Sequence, residues 1–440
     1  MTVATRPLIG IVTTDLAAVT RGRWVLTDRF EETLATGIGW LPANLSLTPF
    51  GTIASPNPWG STGDLRVLPD PDARYQTSAT GAETPFDIVM GDIAALDGTP
   101  WPCCPRTLLK EAMAALSETT GLSLRVAVEQ EFQLFGASFP PAHPLSVAGL
   151  RRADPFAPRL AAALEEAGVE PEVLIAEFGT DQFEVTCAPA SALVAADRAI
   201  AIREITRETA RMLGWHASFA PKTAPDAVGN GVHIHFSLVD GEGRAVGYDP
   251  AAPAGLSRIA AGFCAGILRH LPALTMLSAP SLSSYYRLRP NHWSASWTWL
   301  ADRDREASLR ICPVTTAGGR DPAPQYNIEY RAADATANPY VALAAIIRAG
   351  LAGLAEELPP SPIIAEHPEA LDPARREALG LRRLPETLEE AMAALEADSV
   401  ARGWFSPDFI ETWLGVRRAE LERLGGKSPE EICRLFRDLY

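Results

Sequence analysis

The sequence predicts an α+β protein in which a small β-rich domain precedes a larger domain of mixed helices and strands. Three observations support this prediction. Residues 1–102 combine short β-branched runs with turns rich in glycine, proline and aspartate. Sustained helical spacing of apolar residues first appears after Pro105. Helical and alternating segments then follow each other through residues 103–440, so we place the domain boundary between residues 102 and 103.

The elements of the first domain are predicted from apolar and β-branched runs that lie between turn residues. Strands are expected at 8–15, 21–24, 65–68 and 86–92, and a short helix at 29–36. The stretches NPWGSTGD and LPDPDA are expected to form loops or turns, because proline, glycine, asparagine and aspartate favour them.

The elements of the second domain follow from a change in the period of the apolar residues. Helices are expected at 106–118, 155–167, 195–213, 256–277 with Pro272 interrupting it, 337–354, and in the tail from 386. Strands are expected at 122–135, at 232–239, at 326–331 and as a hairpin within 173–186.

Composition excludes several classes of function. The net charge of −15 argues against nucleic acid or an anionic membrane as a partner. The N-terminus lacks the features of a signal peptide, and no apolar run reaches the roughly 18 residues of a membrane span. The six cysteines show no zinc-type pairing, which indicates reduced thiols in a cytoplasmic protein.

Acids and imidazoles in strand-like, apolar surroundings predict a metal site. Glu129 and Glu131 are two residues apart and would share one strand face, as would His233 and His235. Three further acids occur in similar surroundings: Glu177, Glu184 and Glu329. Buried carboxylates are rare unless they are paired or bind a metal, and a mostly oxygen ligand set suits Mg²⁺ or Mn²⁺ better than Zn²⁺. For any single acid, a solvated strand face is the alternative.

Four arginines could bind phosphates or carboxylates, because guanidinium groups form bidentate hydrogen bonds with both. They are Arg287, Arg305, Arg310 and Arg331. Surface ion pairs with acids such as Asp302 and Glu306 are the alternative. The sequence contains no GxxxxGK[ST] motif, no GxGxxG after a strand and no serine nucleophile elbow, which disfavours P-loop proteins, dinucleotide oxidoreductases and α/β-hydrolases.

Taken in order, six motifs resemble the glutamine synthetase family over nearly the whole chain. They are VEQEFQLF, EFGTDQFEV, ASFAPK with GNGVHIHFSL, SYYRLRP, REASLRICP and NIEYRAADATANPYVALAA. The resemblance implies a β-grasp-like N-terminal domain and a catalytic domain on a curved antiparallel sheet. It also implies a homo-oligomeric ring, a dodecamer of two stacked hexamers, with each active site between neighbouring subunits.

The resemblance further implies a two-step reaction and a set of metal ligands. Glutamate would attack ATP to form γ-glutamyl phosphate, and ammonia or an amine would then displace phosphate. Two ions, Mg²⁺ or Mn²⁺, would be bound. Glu131, Glu177 and Glu184 would hold the ion beside glutamate. Glu129, His233 and Glu329 would hold the ion that bridges the ATP phosphates.

Substrate-binding residues are also implied by the resemblance. Asn230 and Gly231 would form the turn that holds the amino acid substrate, and Arg287 and Arg331 would clamp its carboxylate. Arg305 and Arg310 would act in catalysis by facing the phosphates. Nucleotide contacts would come from Glu172, His235 and Ser237, together with Arg310.

Departures from the family pattern point to an organic amine as the acceptor. Trp293 stands where ammonia-using members carry a flap glutamate, and Phe50 falls where an ammonium-binding aspartate is expected. Aromatic rings carry no carboxylate to hold ammonium, but they suit the carbon part of an amine. The indole could alternatively bind a cationic amine by cation–π attraction, worth about 0.5–2 kcal/mol. Trp297 and Trp299 would either line the same pocket or pack in the core. Asn327 replaces an arginine of the family motif, which removes one phosphate-facing charge.

The sequence therefore predicts an ATP-dependent ligase that joins glutamate to an organic amine. Two alternatives remain open at this point. One is glutamine synthesis from ammonia with a rearranged ammonium site. The other is a non-catalytic structural or regulatory ring of the same fold.

Overall fold

The structure, a computed structural model, describes residues 5–440 and contains two β-sheets, in agreement with the predicted α+β class. The smaller sheet has the strand order β2-β1-β5-β4-β3. Its strands are β1 (Leu8–Thr14), β2 (Thr20–Leu26), β3 (Ile38–Trp40), β4 (Leu65–Thr77) and β5 (Phe86–Ala94). Helix α1 (Phe30–Thr36) packs against β4 and buries Phe30 in the small core of this sheet.

The LPDPDA stretch forms part of β4, so the prediction that it is a turn is wrong. The pairing of β4 with β5 jumps from Pro69–Gly91 to Arg74–Val89, which leaves residues 70–73 in a bulge. Proline has no N–H to donate to a sheet, and a bulge is a position that tolerates it. The bulge also places Asp70 within 2.8 Å of the buried guanidinium of Arg106, which belongs to the following helix.

The larger sheet is almost entirely antiparallel and carries the candidate site. Its order is β12-β13-β14-β11-β6-β8-β7, with β9 and β10 also paired to β6. The strands are β6 (Ser123–Phe135), β7 (Pro171–Ala176), β8 (Gln182–Cys187), β9 (Ala190–Ser191), β10 (His216–Ser218), β11 (Val232–Val239), β12 (Leu300–Asp302), β13 (Leu309–Ile311) and β14 (Ile328–Ala333). Within the described residues, β12 and β13 are the only neighbouring strands of this sheet that run parallel.

The remaining helices pack against the larger sheet or against one another, and they form most of the C-terminal part of the chain. They are α2 (Pro105–Thr120), α3 (Val147–Arg151), α4 (Phe156–Glu166), α5 (Ala192–Met212), α6 (Arg258–Ser278), α7 (Ser284–Arg287), α8 (Pro339–Ala355), α9 (Pro373–Ala378), α10 (Leu388–Ala397), α11 (Ser399–Arg402), α12 (Pro407–Leu424) and α13 (Pro429–Leu439). Helices α6 and α8 approach closely at Gly266, where a Cβ would lie 2.1 Å from the carbonyl oxygen of Ala349.

Helix α6 runs through Pro272 without a break, so the predicted interruption is wrong. Proline removes one hydrogen bond from a helix, but packing on nearly every side of α6 compensates for that loss. By length and composition alone, the same helix could cross a membrane. However, 83% of its most apolar 18-residue segment is buried inside the protein. This burial is typical of a core helix.

Strand alternation divides the larger sheet into an apolar face and a polar face. On β6 the side chains of Val126, Val128 and Phe132 are buried in the main core. The intervening positions, which include Glu129 and Glu131, project from the opposite face. The fold therefore provides a rigid, hydrogen-bonded surface on which acids from several strands can meet.

Candidate active site

Strand register brings most of the predicted metal ligands together on the polar face of the larger sheet. His233 on β11 lies directly opposite Glu129 on β6. Glu131 on β6 lies opposite Glu184 on β8. His235 on β11 lies opposite Glu329 on β14. Directly opposed residues have Cβ atoms about 4.5–5.5 Å apart, so these side chains can act on one ligand.

The acids and imidazoles form two groups of potential metal ligands. Ligand atoms of Glu129, Glu184 and His233 lie within 4.8 Å of one another. In that group His233 Nδ1 lies 3.5 Å from Glu129 Oε2. The second group, with the same spread, consists of His235, Cys312 and Glu329. His233 Nδ1 connects the groups, because it also lies 3.6 Å from Glu329 Oε1.

The electrostatics of the site favour a bound cation. Burial, together with the neighbouring carboxylates of Glu129, Glu131 and Glu177, raises the pKa of Glu184 to about 9. Burial and the Glu131 carboxylate also raise the pKa of Glu177. Carboxylates that repel each other in a buried site are stabilised by a divalent cation. In the group of Glu129, Glu184 and His233, two of the three donors are carboxylates, and Glu131 and Glu177 line the same cavity. These residues therefore fit a hard ion such as Mg²⁺ or Mn²⁺.

Glu329 is held differently from the other acids, because two guanidinium groups already neutralise it. Arg310 donates to Glu329 Oε2 at 2.8 Å, and Arg331 forms an ion pair with the other oxygen. Although burial acts in the opposite direction, the neighbouring His233 and Arg331 lower the pKa of Glu329.

A glycine-rich turn fixes the position of His233 and Arg287. The backbone N–H of Gly231 donates to Glu131 Oε2 at 2.7 Å. A Cβ at Gly231 would lie 2.8 Å from His233 Nε2 and 3.2 Å from a terminal nitrogen of Arg287. Arg287 is buried and donates to the carbonyl of Ala333 at 2.7 Å. The absence of a side chain at residue 231 therefore lets an imidazole and a guanidinium approach the same point.

Asn230 lies outside the cavity lining, at the base of the turn that is predicted to hold the amino acid substrate. Its side chain is 1% exposed. Its amide nitrogen donates to the Ala220 carbonyl at 2.8 Å, and its oxygen accepts from Gln182 at 2.9 Å. Because both polar atoms are satisfied within the protein, Asn230 holds the glycine turn in place rather than facing the cavity.

The predicted arginines differ in their surroundings. Arg287, Arg305 and Arg331 line the main cavity, whereas Arg310 is buried beside Glu329. Arg305 lies in the turn before β13, and Arg310 lies on that strand. Asp302 pairs with Arg303, and Glu306 accepts from the backbone N–H of Trp293.

The predicted nucleotide contacts do not form one cluster in the isolated chain. His235 and Ser237 lie on β11, where Asn327 contacts His235 Nδ1 at 2.9 Å and Ser237 donates to the Tyr326 carbonyl. Glu172 is exposed on the edge strand β7. Strands β6 and β8 separate β7 from β11, so this side chain stands apart from the other two.

A cavity of about 830 Å³ opens above the acid cluster. Trp293 is 62% exposed at its mouth, with its ring centroid 5.8 Å from that of Phe178. Trp299 is instead 1% exposed in a separate small core, and Trp297 packs against that core. Phe50 packs against Phe436. Of the aromatic residues singled out from the sequence, Trp293 is therefore the one that faces this cavity.

Several lining residues were not predicted from the sequence. They are Leu145, Ile175, Phe178, Gln182, Lys222, Asp226, Ala227, Val228, Gly229, His292 and Ser294. Gln182 lies in the EFGTDQFEV motif and Lys222 in the ASFAPK motif, so the motifs could have indicated that both residues belong to the site. Loop residues such as Leu145 and Val228 follow no periodic pattern, so the sequence offers no comparable signal for them.

Comparisons with known proteins match the chain over almost its full length. The family model "Glutamine synthetase, catalytic domain" matches residues 102–434, and "Glutamine synthetase N-terminal domain" matches residues 2–101. A γ-glutamylpolyamine synthetase, GlnA3, from Streptomyces coelicolor is 36% identical over 97% of this chain and 92% of its own length. A glutamine synthetase from Pyrococcus furiosus is 32% identical, covering 90% of this chain and 85% of its own.

Solved structures show the same similarity. One described as "Crystal structure of novel glutamine synthase homolog" is 42% identical and covers 100% of both chains, with a TM-score of 0.92. Another, "Apo GmaS without ligand", is 26% identical and covers 98% of this chain and 96% of its own, with a TM-score of 0.81.

Proposed function

Since the chain belongs to the glutamine synthetase family of ATP-dependent carbon–nitrogen ligases, we propose that it forms a γ-glutamyl amide from glutamate and an organic amine. The observation that carries this proposal is the exposed indole of Trp293 at the mouth of the cavity. An indole supplies no carboxylate to hold ammonium, but it can contact the carbon part of an amine. The proposed role of the enzyme in nitrogen metabolism is to conjugate such amines.

The first proposed step is phosphoryl transfer to glutamate. An oxygen of the γ-carboxylate attacks the terminal phosphorus of ATP, ADP leaves, and γ-glutamyl phosphate remains. Arg287 and Arg331 hold the substrate's other carboxylate at the cavity wall, because a guanidinium can donate two parallel hydrogen bonds. Arg305 and Arg310 face the phosphates, and Glu172, His235 and Ser237 contact the nucleotide.

The divalent cations are proposed to bind at the acid cluster. Glu131, Glu177 and Glu184 would hold one ion, and Glu129, His233 and Glu329 would hold a second. The close packing of Glu129, Glu184 and His233 supports a site shared between strands β6, β8 and β11. Bound there, Mg²⁺ or Mn²⁺ would neutralise the negative charge that accumulates during phosphoryl transfer.

The second proposed step is attack by the amine. Its nitrogen adds to the acyl carbon of γ-glutamyl phosphate, the bond to the phosphate oxygen breaks, and the amine loses a proton. Phe178 and Trp293 shield this side of the cavity from water, which would otherwise hydrolyse the acyl phosphate. We also propose a dodecameric ring of identical subunits and a cytoplasmic location, which is supported by six free cysteines.

The proposal is tested by measuring glutamate- and ATP-dependent phosphate release with ammonium and with a panel of alkyl, aryl and polyamines. We expect at least one organic amine to have a higher kcat/KM than ammonium. Ammonium outperforming every amine would indicate a glutamine synthetase instead. If no acceptor supports turnover and calorimetry detects no binding of a divalent ion, the protein is a non-catalytic ring.

A matched pair of variants tests the role of Trp293. The Trp293→Glu substitution should shift preference towards ammonium by about tenfold or more, because a carboxylate at the mouth attracts a small cation. Trp24→Glu is the control, since Trp24 is similarly exposed but lies on β2 in the other sheet. Unchanged acceptor preference in Trp293→Glu would exclude the proposed role.

A further inference from the structure

Four large apolar side chains remain exposed around the mouth of one cavity. Leu145, Phe178, Val228 and Trp293 are 61%, 54%, 45% and 62% exposed. Single exposed apolar residues are ordinary, but a group of them around a concave site marks a binding surface. These four therefore need an explanation that the phosphoryl-transfer chemistry does not provide.

The four side chains come from separate parts of the chain and converge only in the folded structure. Leu145 precedes α3, Phe178 follows β7, Val228 precedes β11, and Trp293 follows α7. The rings of Phe178 and Trp293 contact each other across two loops at a centroid distance of 5.8 Å. Because the four residues come from different segments, they form one apolar surface of the folded protein and not a short apolar run in the sequence.

Two of the four residues adopt a backbone conformation that large side chains disfavour. The φ angles of Leu145 and Trp293 are +57° and +53°. The N–H of Leu145 is held by the Ala176 carbonyl at 2.9 Å, and the N–H of Trp293 is held by Glu306. Conformations of this kind cluster at functional sites, where surrounding contacts maintain them.

The charged groups at the mouth are few and nearly balanced. We define the rim as the exposed lining residues, which are Leu145, Phe178, Asp226, Val228, His292, Trp293 and Arg305. Asp226 is the one carboxylate of this rim, and the guanidinium of Arg305 offsets its charge. A polyamine carries a second ammonium group several ångströms from the first, and taking that group out of water is costly. A cation–π contact with Phe178 or Trp293 would offset only part of this cost, so the group also needs a carboxylate or carbonyl partner.

We propose that the acceptor is a primary monoamine whose apolar body packs against Leu145, Phe178, Val228 and Trp293. The amino group points inward, towards the acyl phosphate formed above the acid cluster. The apolar rim excludes a second charged group, so a diamine or polyamine is a poor substrate. This inference rests on the proposed function and adds the chemical class of the acceptor.

Hexylamine and 1,5-diaminopentane provide the direct test, because they have the same length and differ in a terminal methyl or ammonium group. We expect kcat/KM for hexylamine to exceed that for 1,5-diaminopentane by at least about tenfold. From propylamine to hexylamine, kcat/KM should rise roughly fourfold per added methylene. A diamine equal to or better than hexylamine would overturn the inference and leave the proposed function intact. If neither ammonium nor any amine supports turnover, both the inference and the proposed function are overturned.

Two exposed valines provide matched variants. Val228→Asp places a carboxylate in the rim and should lower the ratio of hexylamine to diaminopentane activity by about tenfold or more. Val400→Asp is the control, because Val400 is 41% exposed on α11, away from the cavity. Val228→Ala, which keeps the position neutral but removes part of the apolar contact, should lower kcat/KM for hexylamine. An unchanged ratio in Val228→Asp would contradict the proposed contact.

Discussion

Glu184 shows most clearly how individual side chains prepare the site for a cation. The residue is 6% exposed and lies opposite Glu131 across the β6–β8 pair. Burial and three nearby carboxylates raise its pKa to about 9, so ionised Glu184 is unfavourable in the folded chain alone. A cation bound by the folded state would remove this repulsion and stabilise the fold by mass action.

The Glu184→Gln substitution should separate stability from activity. Without divalent ions, its melting temperature should not fall below that of the wild type, because glutamine is neutral, like the protonated Glu184 that the raised pKa favours. Adding Mg²⁺ or Mn²⁺ should raise the wild-type melting temperature much more than that of the variant. The kcat/KM should fall by more than about 100-fold, beyond the loss typical of residues that only support a metal ligand.

Thermal unfolding with EDTA or with added Mg²⁺, combined with calorimetric titration of the ion, measures these effects. Glu396→Gln is the control, because Glu396 forms an exposed ion pair with Arg418 and such pairs contribute little to stability. Equal stabilisation of the Glu184→Gln and wild-type proteins by the ion would remove Glu184 from the metal site.

At the level of the element, alternation was enough to predict which side chains share a strand face. The sequence correctly groups Glu129 with Glu131 on β6 and His233 with His235 on β11. It does not predict that Glu131 faces Glu184, because that neighbour depends on the register between distant strands. Rim residues such as Leu145 and Val228 are also beyond prediction, since their loop positions carry no period.

Two incorrect element predictions have a common physical origin. LPDPDA is predicted as a turn, and Pro272 as a helix interruption, from local proline preferences. In the structure a bulge accommodates the prolines of β4, and core packing maintains α6 through Pro272. Tertiary contacts therefore override local propensity at both positions.

The glycine turn before β11 can be tested as a unit with Gly231→Ala. The new Cβ would lie 2.8 Å from His233 Nε2, so the imidazole or the turn must shift. We expect ligase activity to fall by about 100-fold or more, because misplacing reacting groups by about 1 Å is enough for such a loss. Stability should change by only about 1–3 kcal/mol, the usual cost of local overpacking.

Gly241→Ala is the matched control for Gly231→Ala. Gly241 lies just beyond the other end of β11, and a Cβ there meets no atom within 4 Å. Steady-state kinetics and urea unfolding of both variants measure the two effects. Normal activity in Gly231→Ala would show that the close approach at this turn does not position the site.

At the level of the whole molecule, buried polar contacts join the two sheets. Asn338 caps α8 by accepting from the N–H of Tyr340. Its amide nitrogen donates to the carbonyls of Thr14 and Asp15, at the end of β1, at 2.9 and 3.0 Å. One fully buried side chain therefore caps the start of a helix in the larger domain and holds the end of the first strand of the smaller sheet.

Two substitutions at Asn338 distinguish helix capping from contact between the domains. Asn338→Asp keeps the capping oxygen but cannot donate to the two carbonyls, and it places a negative charge beside them. We expect it to lower the free energy of unfolding by about 1–3 kcal/mol, the usual cost of buried unsatisfied groups. Asn338→Ala should lower it further by about 0.5–2 kcal/mol, because the cap is lost as well.

Urea unfolding monitored in parallel by tryptophan fluorescence and circular dichroism measures these differences. Asp372→Ala is the control, because Asp372 caps the exposed helix α9 and its loss removes a cap alone. If the Asn338 contacts couple the domains, Asn338→Asp should also separate the two unfolding signals, since the smaller sheet then loosens before the larger one. Wild-type stability in Asn338→Asp would mean that the domains are held together by their apolar contacts, and that Asn338 acts only on α8.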